Sequence, residues 1–378
     1  MKTMKLNIRG EAEVLQNEDE MNDKMKEVHD SREIFDEHKE KNILEKEKLD
    51  RVLTVLRRKH LEKQGYRFVG NHSAIKVCEY THKMIKGQDV CYKCTFYGIN
   101  SHRCIQMSPV MNTCNLRCKW CWRDIEFTSP KWVGPVDDPE FIVEESIKAH
   151  VHFLIGYKGN SQISSQIIKQ VMMPKHVAIS LFGEATNYPK LPELVKEFHK
   201  KGITTFLVTN GTNPEMMQRL LEEQQPTQLY ITLPAPDEST FMEACRPLLK
   251  DAWWRILQSV KLLNNFSCRK TIRFTLANKL NMQNIEGYAK ILDGVDVDYY
   301  ELKGYVHIGH SQHRLLIEQQ PSHEEIKNFA LELAKHTGLK IVSEKAESRA
   351  ILMMREENKT RLLTADPDRV PADVYFVK

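Results

Sequence analysis

Three cysteines within eight residues constrain this chain more than any other feature: Cys114, Cys118 and Cys121, in the run CNLRCKWC. The C-x3-C-x2-C spacing puts three thiols on one loop and supplies no fourth. Three thiolates leave one corner of a tetrahedral metal, or one iron of a cluster, open to a non-protein ligand. A structural zinc site closes its shell with protein ligands. The competing reading is therefore a zinc knuckle whose fourth ligand lies elsewhere in the chain.

Nine cysteines are present, and seven of them fall between Cys78 and Cys121. The first residues, MKTMKLNIRGEAEV, lack the apolar core of a secretory signal. The chain is thus expected to be cytoplasmic, where thiols ligate metals more readily than they pair. No run of about 18 or more apolar residues occurs, so no membrane span is expected. Charge is unevenly spread: residues 1–50 hold 10 Lys/Arg and 15 Asp/Glu, out of 55 and 51 in the whole chain. The remainder carries a net +9, which suits a polyanionic partner without establishing one.

Residues 1–41 are charge-rich and read as a solvated arm, disordered or loosely helical. From Asn42, a plausible N-cap, apolar residues recur at helical spacing as far as Gly65. Residues 42–106 form this helix and the cysteine-rich segment. A strand over Met107–Met111 runs into the three-cysteine loop and opens a region, 107–310, in which strands and helices alternate. The further strands are 176–183, 203–211, 228–236, 269–278 and 299–307. A helix starts at Pro214, another breaks at Pro247, and one ends at Gly338. Residues 311–378 add a helix and a closing pair of strands.

Such alternation predicts an α/β fold with a parallel sheet and right-handed crossovers. Six strands make a (β/α)6 partial barrel of the TIM type, with chemistry at the C-terminal strand ends. Polar residues gather there: Cys114, Gly183-Glu184, Asn210, Asp237, Asn278 and Lys303. Gly183 lets the backbone approach a ligand. Glu184 offers a carboxylate to an ammonium group, or is simply a helix N-terminal acid.

The three-cysteine spacing resembles the radical S-adenosylmethionine (SAM) enzymes. The resemblance implies a 4Fe–4S cluster on Cys114, Cys118 and Cys121, whose open iron binds SAM. It implies that Gly183 and Glu184 hold the SAM amino group, with Asn210 as a further SAM contact. The runs YGINSHRCIQMSP, CWR (121–123), SLFGEATNYP, FLVTNG, TQLYITLPAP, RPLLKD and ELKGY narrow the match. They resemble the tRNA 4-demethylwyosine synthases of the wybutosine pathway, in their archaeal form, from about residue 60 onward. Two positions depart from that pattern: Ala185 stands where proline is usual, and Pro234 where aspartate is usual.

This resemblance implies a lyase that condenses pyruvate with N1-methylguanosine at position 37 of tRNA-Phe. The tRNA anticodon arm, pyruvate and an external low-potential electron donor are the implied partners. Cys78, Cys91 and Cys104, spaced thirteen residues apart, match the family's auxiliary 4Fe–4S cluster in an N-terminal cysteine-rich extension. Lys93 matches the pyruvate-capturing lysine, whose Schiff base needs a partly deprotonated amine. Cys94 is a rival ligand, and Cys91-x2-Cys94 with Cys118-x2-Cys121 is a less well spaced zinc ribbon. Lys303, His307, His310 and Arg314 are candidate RNA contacts or solvated surface residues. Trp122 and Tyr305 are candidate stacking rings. Two other functions stay open at this point: a radical SAM activase of a protein partner, and a zinc-stabilised RNA-binding module.

Overall fold

The computed structural model describes residues 4–6, 12–14, 53–358 and 361–363. The chain divides into two compact units, Met1–Thr54 and Val55–Lys378. In the first, strands β1 (Met4–Leu6) and β2 (Ala12–Val14) pair antiparallel, with Met4 opposite Val14. The rest of the charged arm, Asn42 and the first half of the helix expected from it lie outside the described residues. What is described of that helix is Val55–Lys63.

The second unit is built on one ten-stranded sheet. Strands β3 (Arg67–Val69) and β4 (Ser73–Ile75) form a short antiparallel hairpin at one edge. Six parallel strands follow: β5 (Cys104–Ser108), β6 (His176–Ile179), β7 (Thr204–Thr209), β8 (Gln228–Thr232), β9 (Arg269–Leu276) and β10 (Tyr299–Gly304). Strands β11 (Lys340–Lys345) and β12 (Ala350–Met354) close the other edge antiparallel. The order β11-β12-β10-β9-β8-β7-β6-β5-β4-β3 never pairs β5 with β10, so the barrel is open, as the six-strand reading expects.

Two boundaries differ from the sequence reading. The first parallel strand is Cys104–Ser108, ahead of the expected Met107–Met111, because Cys104 pairs with His176 at the start of β6. The cysteine-rich segment is also not a separate extension. Its β4 pairs with β5, its helix Tyr92–Tyr97 packs against β11, and its helix Glu79–Ile85 packs on the turn Ser101–Arg103 that leads into β5.

Local signals account for the helices that frame the site. Asp138 caps Pro139–Leu154 by accepting the Glu140 and Phe141 N–H groups. Asn213 caps Pro214–Glu223 through Met216 N–H, with Pro214 at the first helical position. Helix Glu238–Cys245 stops at Arg246, which takes φ +41°, and Ala252–Leu262 resumes beyond Pro247.

Strand alternation divides the interior into two cores. Leu207, Leu229, Ile231, Ile272, Phe274 and Leu302 face the outer helices in the main core. Phe206, Tyr230, Tyr299, Ala350 and Leu352 face inward and pack on Tyr92, Phe96 and Tyr97 of the short helix. That helix closes the inner face of the sheet, and it carries Lys93.

Candidate active site

The three-cysteine loop leaves the C-terminal end of β5 and is fastened from several sides. Cys114 N–H donates to Ser129 O at 2.9 Å, Arg117 N–H to Cys245 O at 2.9 Å and Lys119 N–H to Ala244 O at 2.8 Å. Arg314 reaches across the fold to donate to the carbonyls of Lys119, Cys121 and Arg123. Arg314, read from the sequence as a candidate RNA contact or a solvated surface residue, is turned to this loop. Its sequence partners are nearly two hundred residues away, and no local pattern could reveal it. Arg123 lies flat against Trp122, 3.3 Å from the ring centroid, and donates to Leu181 O.

The three thiols are half-buried, and their charges act on one another. Burial holds Cys114 well above its ordinary pKa, and Glu184, Cys118 and Cys121 reinforce the shift. Cys118 is raised first by its contact with the Cys245 thiol, then by burial. Burial pushes Cys121 up to about 12, with Cys118 adding to it. A metal that takes the thiolate form overcomes these shifts.

Glu184 lies at the end of β6, 3 % exposed. Its Oε1 accepts from Thr209 Oγ1 at 2.6 Å, Thr186 Oγ1 at 2.7 Å and Thr186 N–H at 3.1 Å. Its Oε2 accepts only the Asn210 N–H, at 2.8 Å. Burial nevertheless raises its pKa, because four donors do not fully replace water. Gly183 sits at φ +63°, and a Cβ there would lie 2.6 Å from Thr113 O and 2.8 Å from Val110 Cγ2. Only glycine lets this turn press against the start of the cysteine loop. The Asn210 amide points its Nδ2 at Cys114 Sγ, 3.9 Å away, while its Oδ1 accepts from Thr212. Gly183, Glu184, Asn210 and Cys114 therefore form one contiguous group.

Other polar strand-end residues do not join it. Asp237 caps helix Glu238–Cys245, and Asn278 bonds Glu325. Tyr305 is 2 % exposed and donates to Ser311 Oγ, so it offers no face to a nucleotide. Trp122 is 40 % exposed. His307 bonds Leu315 O, and His310 N–H donates to Trp122 O.

A second group forms on the inner face of the sheet. Cys78 and Cys91 each occupy the N-cap position of a short helix, with extended backbone at ψ 143° and 144°. Neither sulfur makes a capping hydrogen bond, but the Tyr80 and Thr81 amides beside Cys78 and the Lys93 amide beside Cys91 favour the thiolate form. Cys104 opens β5 with its Sγ 3.7 Å from Ile105 O, and the nearby Ala178 amide favours its thiolate form. Burial raises all three thiols, Cys91 and Cys104 to about 12, and their mutual charges couple them. N-terminal backbone N–H groups suit a thiolate, so this donor set fits a thiolate-held cluster. Cys94 points elsewhere, into a small core with Met84 and Val90. That separates it from this group and removes half of the zinc-ribbon reading.

The described residues contain no set of three Cys, His, Asp or Glu side chains closed around a single-ion position. Zinc–sulfur bonds of 2.3 Å would bring ligating sulfurs to about 4 Å from one another. A cluster ligates each thiolate to a different iron and so holds them wider.

Lys93 lies between these thiols and the inner strands. It is 6 % exposed, and its Nζ is 4.8 Å from the Tyr230 ring centroid and 5.1 Å from that of Phe206. Burial lowers its pKa against the opposing pull of Glu301 and the cysteines. Arg273 and Glu301 are register partners on β9 and β10, 3.5 Å apart. Arg273 also donates to the Tyr92 hydroxyl at 3.4 Å, and Tyr97 donates to Glu301 Oε2 at 3.3 Å. Lys303, two residues beyond Glu301, completes the group; burial brings its pKa down to about 8. Sequence reasoning named Lys303 as a strand-end residue but overlooked Arg273 and Glu301 beside it. The available signal was charge at alternate positions, Glu301 and Lys303, in a strand whose other residues are apolar or aromatic.

Comparison with known proteins places this geometry. Residues 108–292 match the radical SAM superfamily, and residues 295–355 match the wyosine base formation family. The chain is 43 % identical over 319 residues to the SAM-dependent tRNA 4-demethylwyosine synthase of Pyrococcus abyssi, spanning 84 % of this chain and 91 % of that one. It is 37 % identical over 311 residues to the Methanocaldococcus jannaschii synthase, spanning 80 % and 96 %. A solved structure of TYW1 with a lysine–pyruvate adduct bound superposes at TM-score 0.72 and 35 % identity, covering 83 % of this chain and 99 % of that one. The crystal structure of an archaeal TYW1 superposes at TM-score 0.68 and 32 % identity, covering 82 % and 100 %.

Proposed function

Because the chain belongs to the family of SAM-dependent tRNA 4-demethylwyosine synthases, we propose that its two thiol groups and Lys93 divide the synthase reaction between them. The protein is a radical SAM enzyme that modifies tRNA in the wyosine pathway. In the reading proposed here it condenses pyruvate with N1-methylguanosine at position 37 of tRNA-Phe.

Cys114, Cys118 and Cys121 would hold a 4Fe–4S cluster, and Gly183, Glu184 and Asn210 would seat SAM against it. When bound, that pair supplies a hydrogen-abstracting radical after one-electron reduction by an external donor. Oε2 of Glu184 is suited to an ammonium, since it accepts only one hydrogen bond from the protein. The Arg314 clamp and the Thr209 and Thr186 donors keep loop and carboxylate in place. Cys78, Cys91 and Cys104 would hold a second cluster beside Lys93.

Lys93 acts as the nucleophile. Its neutral amine attacks the pyruvate ketone, the carbinol oxygen leaves as water after taking up one proton from solvent, and a protonated imine forms on Nζ. Burial favours the neutral amine that begins this step, and the Phe206 and Tyr230 ring faces stabilise the cation that ends it. The single observation that carries the reading is this buried lysine, coupled to Cys91 and Cys104 on the inner face of a radical SAM barrel. The lysine–pyruvate adduct in the superposed TYW1 supports it. The test is reduction with labelled pyruvate and borohydride, followed by peptide mapping. Label on the Lys93 peptide is expected; label on another lysine, or wild-type turnover by Lys93→Ala, overturns the assignment.

A further inference from the structure

The inner-face group contains a second, half-buried lysine that this chemistry leaves unused. Lys303 follows Glu301 by two residues on β10, so both side chains project toward the helix that carries Lys93. Its ammonium donates one hydrogen bond, to Ser348 O at 2.6 Å, and lies 5.1 Å from the Tyr92 ring centroid. An ammonium has three donors and no acceptor. One carbonyl and one ring face leave two N–H groups without an oxygen partner. On a half-buried ammonium, two such donors are available to an anionic ligand.

The surrounding protein does not complete them. Arg273 and Arg349 are the neighbouring cations. Glu301 attracts Lys303, but the contacts it makes are with Arg273 and Tyr97. Lys93 and Lys303 share Arg273, Glu301 and Cys91 as electrostatic neighbours, and Glu301 is the one carboxylate among these. The site is therefore complementary to a small anion that sits beside the Lys93 amine.

We propose that Lys303 receives the carboxylate of the 2-oxo acid whose ketone Lys93 captures, and so selects a 2-oxo acid over a neutral carbonyl compound. The inference rests on the Lys93 reading above. Imine formation consumes the ketone oxygen and leaves the carboxylate as the one permanent charge of the bound substrate. A carboxylate offers two oxygens, so a contact to Lys303 leaves the other oxygen available to a second partner. Arg273 is less suited, because it is already turned to Glu301 and Tyr92.

The test uses the full chain, prepared anaerobically with its clusters, and compares pyruvate with methyl pyruvate, which keeps the ketone but lacks the charge. Labelled ligand is trapped with cyanoborohydride over a range of concentrations, and the Lys93 adduct is measured by peptide mapping. Lys303→Met is expected to raise the half-saturating pyruvate concentration at least tenfold, with partial recovery in Lys303→Arg. For methyl pyruvate, wild type and Lys303→Met should coincide. An equal penalty with both ligands, or none with pyruvate, overturns the proposal. Absence of any Lys93 adduct in the wild type with either ligand overturns the Lys93 reading itself, and this proposal with it.

Discussion

Asn210 donates its backbone N–H to Glu184 Oε2 at 2.8 Å, which ties the end of β7 to the end of β6 beside Cys114. The same Asn210 directs its side-chain amide toward the Cys114 sulfur. One turn thus orients both the carboxylate and a thiol, and the geometry is set by backbone before any ligand arrives. Glu184→Gln tests this arrangement. The new amide places N–H donors where at least one of the Thr186, Thr209 and Asn210 donors requires an acceptor. Loss of one such buried bond costs about 1–3 kcal/mol. The variant should unfold at lower denaturant and bind SAM more weakly; wild-type SAM affinity would contradict the assigned role.

Arg314 holds the cysteine loop through three carbonyls, those of Lys119, Cys121 and Arg123. Arg314→Ala removes charge-assisted bonds worth about 2 kcal/mol or more in total. Iron should be lost faster on exposure to chelator, with the secondary structure unchanged by circular dichroism. Chelation rates equal to wild type would show that the clamp does not govern cluster retention. Arg314→Lys should recover only part of the effect, since one ammonium cannot span three carbonyls.

The second thiol group predicts a stoichiometry. Replacing Cys78, Cys91 and Cys104 together by Ala should lower iron content by about half, as expected when one of two similar clusters loses its ligands. Cys94→Ala should leave iron unchanged, because Cys94 packs with Met84 and Val90. Iron at the wild-type level in the triple variant would remove the second cluster from the account.

His150, on helix Pro139–Leu154, gives a pH dependence independent of the metal sites. It is 1 % exposed, its Nε2 has no hydrogen-bond partner, and burial lowers its pKa to about 4, with His82 adding to the shift. The unfolded chain takes up this proton below about pH 6.5 and the native state only near 4. Stability therefore rises with pH across that window and is lost as pH falls through it. The full shift corresponds to about 3 kcal/mol. His150→Leu should flatten the acid side of the stability curve by an amount approaching this. An unchanged slope between pH 4 and 6.5 would contradict the assignment.

Much of this site is legible in the sequence, and the exceptions share a cause. The three-cysteine loop and the Gly183-Glu184 turn are local patterns, and the six parallel strands follow from apolar runs separated by helices. The helices Glu79–Ile85 and Tyr92–Tyr97 were hidden within a segment of little regular periodicity. Helices of seven and six residues span at most two turns, too few for a 3.6-residue pattern to stand out. Their N-caps are cysteines, which carry no conventional capping signal. Arg314, Arg273 and Glu301 act through contacts far apart in sequence, which spacing cannot reveal. Asp237 and Asn278 mislead in the opposite direction: a polar residue after a strand caps a helix, as Asp237 does, or bonds a neighbouring side chain, as Asn278 does with Glu325, as readily as it serves a catalytic site.

The central claim is that this chain builds the tricyclic wyosine precursor on tRNA from pyruvate. The direct measurement is anaerobic incubation of the enzyme with N1-methylguanosine-containing tRNA-Phe, SAM, pyruvate and dithionite, followed by nucleoside mass analysis. The account predicts loss of N1-methylguanosine, appearance of 4-demethylwyosine, and incorporation of label from pyruvate, all abolished in Cys118→Ala. Unmodified N1-methylguanosine despite reductive SAM cleavage, or a product without pyruvate label, would contradict it.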